Sequence, residues 1–316
     1  MPLDLAAIHA AHDRIRPMIH RTPVLTSAWL DEQSGDSLAF KCENFQKAGS
    51  FKARGAANAV FSLTEAEAAL GVATHSSGNH AAALARAARL RGIPAYIVMP
   101  SNSARTKVRA VEGYGARIAF CEPTQQAREE ACARVLAETG AALIHPFNDY
   151  RVMAGQGTAA LELLEDRPDL DIMLCPIGGG GLLSGTAIAA KGVKPDIKVI
   201  AVEPLGADDA ARSFHAGRLI PLEQAHTIAD GLRTSVGARN FPLIRRYVDD
   251  IVTVSEDCIV AAMRQLWDVL KIVVEPSGAV PYAAILEGKL ARAGRRAGLI
   301  LSGGNVDLDA LPWGKR

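Results

Sequence analysis

The sequence predicts an α/β protein with mainly parallel sheets. Short apolar runs typical of strands alternate along the 316 residues with alanine-rich stretches whose apolar residues recur near helical spacing. The predicted strands are 71–75, 95–99, 117–121, 171–175, 198–202 and 298–301, and the predicted helices include 80–91, 103–113, 125–138 and 153–165. Strands that alternate with helices in this way pair in parallel through crossover connections.

Composition narrows the possible functions. With 49% hydrophobic residues, the chain can bury the cores of roughly two domains. Its 35 basic and 34 acidic residues form no basic cluster, so we expect a small-molecule partner and no nucleic acid. Residues 1–19 include Asp4 and Asp13, which is wrong for a signal peptide or a membrane span, so we expect a cytoplasmic protein without a membrane partner. The cysteines are scattered and predict neither disulfides nor zinc: Cys42, Cys121, Cys132, Cys175 and Cys258.

Segment 41–56 carries the first chemical signal, a predicted strand end followed by a Gly/Ser turn into a helix. Lys52 lies in the first turn of that helix, where the positive end of the helix dipole disfavours an ammonium. The neighbouring Phe51 and partial burial act in the same direction, which predicts a lysine amine able to form a Schiff base. Most lysines are exposed and solvated, so this lysine alone does not establish the chemistry.

Three more turns follow predicted strands, at residues 74–80, 177–184 and 301–305. Backbone N–H groups at the start of a helix can hold a carboxylate or a phosphate, although capping by Ser77 or Asn79 would explain the first of these turns equally well. A structural turn needs one or two glycines, so the run of four in the second turn favours a phosphate cradle. Ligands of open α/β sheets bind outside the carboxyl ends of strands, where all of these segments fall.

A dinucleotide site is the alternative interpretation. Gly179, Gly181 and Ser184, followed about twenty residues later by Glu203, approach the dinucleotide-binding fingerprint. However, serine replaces the third glycine, and this interpretation leaves Lys52 without a role. A non-catalytic binding protein with the same sheet is a third possibility, favoured if that lysine is exposed and unreactive.

Five motifs together resemble the family of serine racemases and serine/threonine dehydratases, which includes 3-hydroxyaspartate dehydratases: residues 50–56, 76–80, 178–181, 275–278 and 302–305. The resemblance extends over nearly the whole chain. It implies fold type II of the enzymes that depend on pyridoxal 5′-phosphate (PLP), with two α/β domains. The large PLP-binding domain would comprise residues 1–70 and 147–316, the small mobile domain would comprise residues 71–146, and the protein would be a homodimer.

The same resemblance assigns residues to the cofactor. Lys52 would form the Schiff base with PLP, and Phe51 would pack on the pyridine ring. Asn79 would bond the ring hydroxyl, and Ser302 would bond the ring nitrogen. The phosphate would be held by Gly178, Gly179, Gly180 and Gly181.

The implied reaction is removal of water from L-serine, L-threonine or 3-hydroxyaspartate, which gives an oxo acid and ammonia. Once the substrate amine displaces it, Lys52 would take the Cα proton as a general base. Ser77 would supply a proton on the opposite face, so a serine or aspartate-type racemase is the alternative. The residues expected around the substrate are Ser76, Ser77, Asn79, His80, Arg128 and Thr234.

Arg128 is the basis for choosing among these substrates. An arginine in an alanine-rich helix usually faces solvent. The resemblance places it near the substrate, where its guanidinium could pair bidentately with a β-carboxylate. We therefore expect 3-hydroxyaspartate to be at least as good a substrate as serine or threonine.

Two further sites follow from the resemblance. Segment 203–209 offers hard oxygen ligands suited to Mg²⁺, Mn²⁺ or Ca²⁺, although acidic stretches of this length are commonly plain surface. The ligands would be the side chains of Glu203 and Asp209 and the carbonyl of Ala207, ordering the loop near the phosphate. The chain also matches part of an ATP site, at Lys47, Tyr114 and Asn305. At a fourth position of that site, where a glutamine is expected, the chain has Ala82. Whether ATP binds is therefore left open.

Overall fold

The computed structural model describes residues 3–76, 78–103, 105–290 and 294–313, without the side chain of residue 106. Within these ranges, the strands are β1 (Val24–Leu25), β2 (Ser37–Cys42), β3 (Val72–His75), β4 (Ala95–Pro100), β5 (Arg117–Cys121), β6 (Ala142–Leu143), β7 (Ile172–Pro176), β8 (Lys198–Pro204), β9 (Asp250–Val254) and β10 (Arg296–Leu301). The predicted alternation of strands and helices is confirmed. No helix of the described chain is long and apolar enough to cross a membrane.

The α-helices in the same ranges connect and cover these strands. They are α1 (Leu5–Ile15), α2 (Ala28–Ser34), α3 (Lys52–Phe61), α4 (Glu65–Ala69), α5 (Asn79–Arg91), α6 (Arg105–Gly113), α7 (Gln125–Thr139), α8 (Tyr150–Asp166), α9 (Gly181–Val193), α10 (Asp209–Ala216), α11 (Phe241–Tyr247), α12 (Glu256–Leu270) and α13 (Pro276–Leu286). Short 3₁₀ turns join several of them.

The larger sheet has the strand order β1-β2-β10-β7-β8-β9, and only β1 runs antiparallel to its neighbour. Both of its faces are covered, because successive residues of β7 pack into different cores. Met173 joins the core built with α8 and α9, whereas Leu174 joins the core built with α12 and α13. A strand buried on both faces reads as a continuous apolar run, which is why this strand was predictable.

The smaller sheet is parallel, with the order β5-β4-β3-β6. Its strands lie between residues 72 and 143, and α3, α5 and α6 contribute to the core on one face while α7 packs on the other. The fold is thus two-domain α/β with mainly parallel sheets, which agrees with the fold type II that the resemblance implies. The domain boundaries at residues 71 and 146 stay a prediction.

Helix α3 links the two cores. Its residues Ala56 and Val60 pack in the core of the smaller sheet, while its first turn lies against α8. A Cβ atom at Gly155 of α8 would lie 2.6 Å from the carbonyl oxygen of Arg54. The two helices therefore touch backbone to backbone, which only a glycine permits.

Candidate active site

Neighbouring parallel strands bring three of the predicted segments to one edge of the larger sheet. The chain that leaves β2 leads to Lys52, β10 is followed by Ser302, and β7 is followed by glycines 178–181. The first two segments are hydrogen-bonded to each other, because the Phe51 N–H donates to the carbonyl of Ser302 at 3.0 Å. An isolated bridge between Ser50 and Gly303 extends this pairing. The fold thus fixes the lysine beside the serine.

Lys52 opens α3, as the sequence predicted, and its side chain is half-buried. The Nζ donates to the carbonyl of Pro146 at 2.8 Å and lies 5.0 Å from the centroid of the Phe51 ring. Burial lowers the pKa of Lys52 to about 8, and the negative charge of Glu275 offsets this only in part. Roughly one fifth of the amine is therefore neutral at pH 7.4, far more than for an ordinary lysine, and the neutral form is what a nucleophile or a base requires.

The tetraglycine loop has no room for side chains. A Cβ at Gly179 would lie 2.3 Å from the ring of Phe147, and one at Gly178 would lie 2.9 Å from the Cα of Leu232. Gly180 also has a φ of 91°, in the left-handed region. The loop therefore exposes backbone at the start of the 13-residue helix α9, where N–H groups and the helix dipole favour an anion such as a phosphate.

Ser302 is 2% exposed directly after β10. Among the described residues its hydroxyl has no hydrogen-bond partner, which leaves that group available to a ligand. Together with the neighbouring amine and the glycine loop, this donor set fits PLP.

Asn79, the first residue of α5, is held in one orientation by two partners. Its Nδ2 donates to both carboxylate oxygens of Glu275, at 2.9 and 3.2 Å, and its Oδ1 accepts from Nδ2 of Asn305 at 3.0 Å. The backbone N–H of Asn305 donates to the same carboxylate at 3.1 Å. Burial, and secondarily the charge of Asp230, raises the pKa of Glu275 to about 7. These hydrogen bonds tie the start of α5, which follows β3 of the smaller sheet, to Glu275 before α13 and to Asn305 after β10.

The turn before α5 contains two of the predicted substrate residues, Ser76 and Ser77, and α5 begins with two more, Asn79 and His80. The hydroxyl of Ser76 accepts from the Gly78 N–H at 3.3 Å, and Ser77 lies outside the described residues. The side chain of His80 is buried, with Nε2 3.1 Å from the carbonyl of Ile144. What this turn can present to a ligand therefore includes the free N–H groups of the first turn of α5.

Thr234 and Arg128 lie beside different segments of the site. Thr234 is exposed beside the glycine loop, with its hydroxyl 3.2 Å from the position that a Cβ of Gly178 would occupy. Arg128 lies on α7, where Nη2 donates to Oε1 of Gln125 at 2.8 Å. Burial lowers the pKa of His75, the last residue of β3, and the charge of Arg128 lowers it further. Arg128 therefore lies near the turn that follows β3, and the described contacts do not join it to Lys52.

The acidic segment forms a pair of buried carboxylates. Glu203 accepts from the N–H groups of Ala210 and Ala211 at 3.0 and 2.9 Å, and Asp209 Oδ2 accepts from Val236 at 3.0 Å. Asp209 Oδ1 has no partner in the part of the chain that the structure describes. Burial raises the pKa of Glu203 to about 9 and that of Asp209 to about 6. The described residues contain no group of three or more His, Cys, Asp or Glu side chains placed to hold a metal, so an ion here would need carbonyl or water ligands as well.

Sequence reasoning assigned no role to three residues around Lys52. Glu275 was noticed within a motif, but its contact with Asn79 depends on residues 196 positions apart. His145 and the carbonyl of Pro146 carry no sequence signal, since each acts through its place in the loop before α8.

Comparison with known proteins identifies the chain's relatives. Residues 15–303 match the model of the family described as "Pyridoxal-phosphate dependent enzyme". A serine racemase of Arabidopsis thaliana is 54% identical over 98% of this chain and 95% of the relative, and a beta-hydroxyaspartate dehydratase of Paracoccus denitrificans is 53% identical over 96% of each. The solved structure of maize serine racemase superposes with a TM-score of 0.96 at 49% identity, covering 98% of this chain and 95% of that one.

Proposed function

Because the chain belongs to the pyridoxal-phosphate dependent enzyme family, we propose that it removes water from a small β-hydroxy amino acid, releasing an oxo acid and ammonia. The observation that carries this proposal is the amine of Lys52, whose pKa is lowered to about 8, fixed beside Ser302 and the glycine loop. Bound there, PLP supplies an electron sink conjugated to the amino group of the substrate. The dinucleotide alternative gives this lysine no role and is disfavoured.

The chain's own groups have distinct parts in this chemistry. We propose that the backbone of residues 178–181 binds the phosphate, that Phe51 packs on the ring and that Asn79 bonds the ring hydroxyl. Ser302 would bond the ring nitrogen with a hydroxyl, which cannot hold that nitrogen protonated as a carboxylate would. Negative charge at Cα is then stabilised less fully, and prompt loss of a β leaving group is favoured. The neutral amine of Lys52 takes the Cα proton.

The substrate class follows from the relatives and from the charge around the site. Relatives at 54% and 53% identity are a serine racemase and a beta-hydroxyaspartate dehydratase, so we propose L-serine, L-threonine and 3-hydroxyaspartate as candidates. The substrate carboxylate would meet the turn formed by Ser76, Ser77, Asn79 and His80, with Thr234 on the opposite wall. Arg128 favours 3-hydroxyaspartate, because it offers a cation to a second carboxylate.

A racemase is the second candidate function. The observation that favours it is that several close relatives, including the solved maize protein, are serine racemases. It requires a proton donor on the face opposite Lys52, a role that we propose for Ser77. Measurement of D-serine formed from L-serine, beside the oxo acid, gives the ratio of the two activities.

We also propose a divalent cation, Mg²⁺ or alternatively Mn²⁺ or Ca²⁺, held by Glu203, Asp209 and the carbonyl of Ala207. Its support is the free Oδ1 of Asp209 and the burial of two carboxylates that form no ion pair with a described residue, since the nearby Arg212 pairs with Asp208 instead. The ion would order the loop after β8 and take no part in bond breaking.

We further propose that the protein is a homodimer, that it is cytoplasmic and that a mobile domain of residues 71–146 closes over the substrate. Whether ATP binds is left open.

A substrate panel tests the function and its specificity together. Purified enzyme is supplied with L-serine, L-threonine and each stereoisomer of 3-hydroxyaspartate, and the oxo acid and ammonia are measured. Arg128→Ala should lower kcat/KM for 3-hydroxyaspartate about 10- to 100-fold, the value of a charge-assisted pair, and leave serine nearly unchanged. Arg134→Ala, on the same helix, is the matched control. If no substrate gives an oxo acid, the chain is not a dehydratase. If Arg128→Ala lowers kcat/KM equally for 3-hydroxyaspartate and serine, Arg128 does not bind the second carboxylate.

A further inference from the structure

His145 lies on a short segment that contacts Lys52 and has no role in the proposed function. The carbonyl of Pro146, the next residue, accepts the hydrogen bond from Lys52 Nζ at 2.8 Å. The carbonyl of Ile144, the preceding residue, lies 3.1 Å from Nε2 of His80. Segment 144–146 is therefore fixed on both sides of the imidazole.

The loop determines which nitrogen of His145 carries the proton. Nδ1 accepts the backbone N–H groups of Phe147 at 3.3 Å and Asn148 at 3.0 Å. A backbone N–H can only donate, so Nδ1 is unprotonated and the neutral ring carries its proton on Nε2. Burial, followed by the charges of His75 and Lys52, lowers the pKa of His145 to about 4, which keeps the ring neutral at physiological pH.

The ring is also fixed in orientation. It packs edge-to-face against Phe147, with centroids 4.6 Å apart, and against His75, with centroids 5.9 Å apart. The side chain is half-buried, and Nε2 has no acceptor among the described residues. Capping of the loop explains Nδ1 fully but leaves the Nε2–H donor unused. His145 thus contacts His75, and the charge of Lys52 lowers the pKa of His145 while that of Arg128 lowers the pKa of His75.

We propose that His145 is a further catalytic residue whose Nε2–H hydrogen bonds to the β-hydroxyl of the substrate as the Cβ–O bond breaks. The proposal rests on the dehydration proposed above. Lys52 takes the Cα proton, the electrons of that C–H bond form the Cα=Cβ bond, and the Cβ–O electron pair leaves with the oxygen. The ammonium of Lys52 returns the proton to that oxygen, so one water is lost and the lysine is neutral again. His145 keeps its own proton throughout and acts as a donor only.

The β-hydroxyl suits this donor better than the α-carboxylate does. The α-carboxylate is charged and can be met by several N–H groups at the start of α5. The imidazole offers one neutral, preoriented N–H, which matches a neutral hydroxyl and binds it more strongly as negative charge builds on the oxygen. Such a donor accelerates departure of a poor leaving group selectively.

His145→Asn separates the two roles of the ring. Asparagine Oδ1 can still accept from Phe147 and Asn148, whereas the donor at the ε position is lost. L-serine and β-chloro-L-alanine differ only in the leaving group, and chloride departs as a stable anion without a donor. We expect kcat/KM for serine to fall at least about tenfold, and that for β-chloroalanine to change less than about twofold. His145→Gln, which restores an ε N–H, should recover part of the serine activity.

Two outcomes overturn the role of His145: equal loss on both substrates in an enzyme that dehydrates serine, and no loss on either. A readout without turnover is the ¹⁵N imidazole spectrum, assigned through His145→Asn, which should show the neutral Nε2–H tautomer at pH 7. A charged ring or an Nδ1–H tautomer contradicts the proposal. Failure of the proposed function is distinct, since wild-type enzyme would then eliminate chloride but dehydrate no β-hydroxy amino acid.

Discussion

Two pairs of buried carboxylates differ in what balances their charge. Glu43 and Glu162 share the guanidinium of Arg54, which is 0% exposed and donates to both at 2.7–2.8 Å, and Lys41 adds a second cation at 2.7 Å from Glu162. Glu203 and Asp209 are equally buried but accept only from backbone N–H groups. The first pair is electrically complete, whereas the second requires a proton or an external cation.

The difference matches the structural role of the first pair and the cation-binding role that we propose for the second. Arg54 lies two residues after Lys52, and its partners lie directly after β2 and on α8. The balanced pair therefore fixes the helix that presents the lysine. In the unbalanced pair, Glu203 lies near the end of β8, beside the strand that leads to the glycine loop, and Asp209 begins α10. An ion there could order the chain without contacting the substrate.

Removal of Arg54 should have the largest effect. Arg54→Met leaves two carboxylates buried without their bidentate partner, which should lower the free energy of unfolding by about 3–5 kcal/mol. Chemical denaturation measures this. Arg296→Met, which breaks a bidentate pair with Asp171 at the surface, is the control and should cost far less. Similar losses in both variants would show that burial of the network is not what makes it stabilising.

The unbalanced pair should respond to metal. Saturating Mg²⁺ should raise the Tm of EDTA-treated protein by about 2–5 °C, because a ligand that binds only the folded state stabilises it. Asp209→Asn should abolish the increase. Asp208→Asn, at a half-exposed carboxylate that pairs with Arg212, should retain it. If the Tm of the wild-type protein is the same with Mg²⁺, Mn²⁺, Ca²⁺ or EDTA, these carboxylates do not bind a metal.

Acid should also lower the free energy of unfolding through the balanced pair, by less than the removal of Arg54 does. Burial alone would raise the pKa of Glu162, but hydrogen bonds from His12 and Arg54 and the charges of Arg54 and Lys41 outweigh it and hold the pKa well below its usual range. A carboxyl with a depressed folded-state pKa contributes stability that is present above its unfolded pKa of about 4.3 and is lost as pH falls.

The test of that acid response is a double variant. Lys41→Met with Glu162→Gln removes one charge of each sign, so its free energy of unfolding should fall less than that of the wild type between pH 5 and pH 3. Denaturation curves at several pH values give the comparison. An unchanged pH profile would mean that other carboxylates dominate acid unfolding.

Much of the fold was predictable because its signals are local. Strand β7 is apolar along its whole length since both faces are buried, and the four glycines after it mark a loop without room for side chains. The start of α8 was placed three residues late, because Tyr150 and Arg151 precede the apolar run of a helix that Asp149 caps by accepting the N–H of Arg151.

The rest of the site could not be predicted because it depends on long-range contacts. Arg54 meets Glu162 across 108 residues, and Asn79 meets Asn305 across 226. Asn79 was considered as a cap of α5, but Gly78 occupies that position and the amide turns to Glu275 instead. Such pairings follow from the packing of the two sheets, which no local pattern encodes.

The most direct test of the account is to locate the cofactor on the chain. Borohydride should bleach the visible band of the yellow enzyme, and peptide mass spectrometry should find the reduced cofactor on Lys52. Lys52→Ala should bind no reducible cofactor and lose at least about 100-fold in turnover, the size of a general-base contribution, while Lys289→Ala, at an exposed lysine, should match the wild type. A label on another lysine, or more than about one part in a hundred of the activity in Lys52→Ala, would contradict the account.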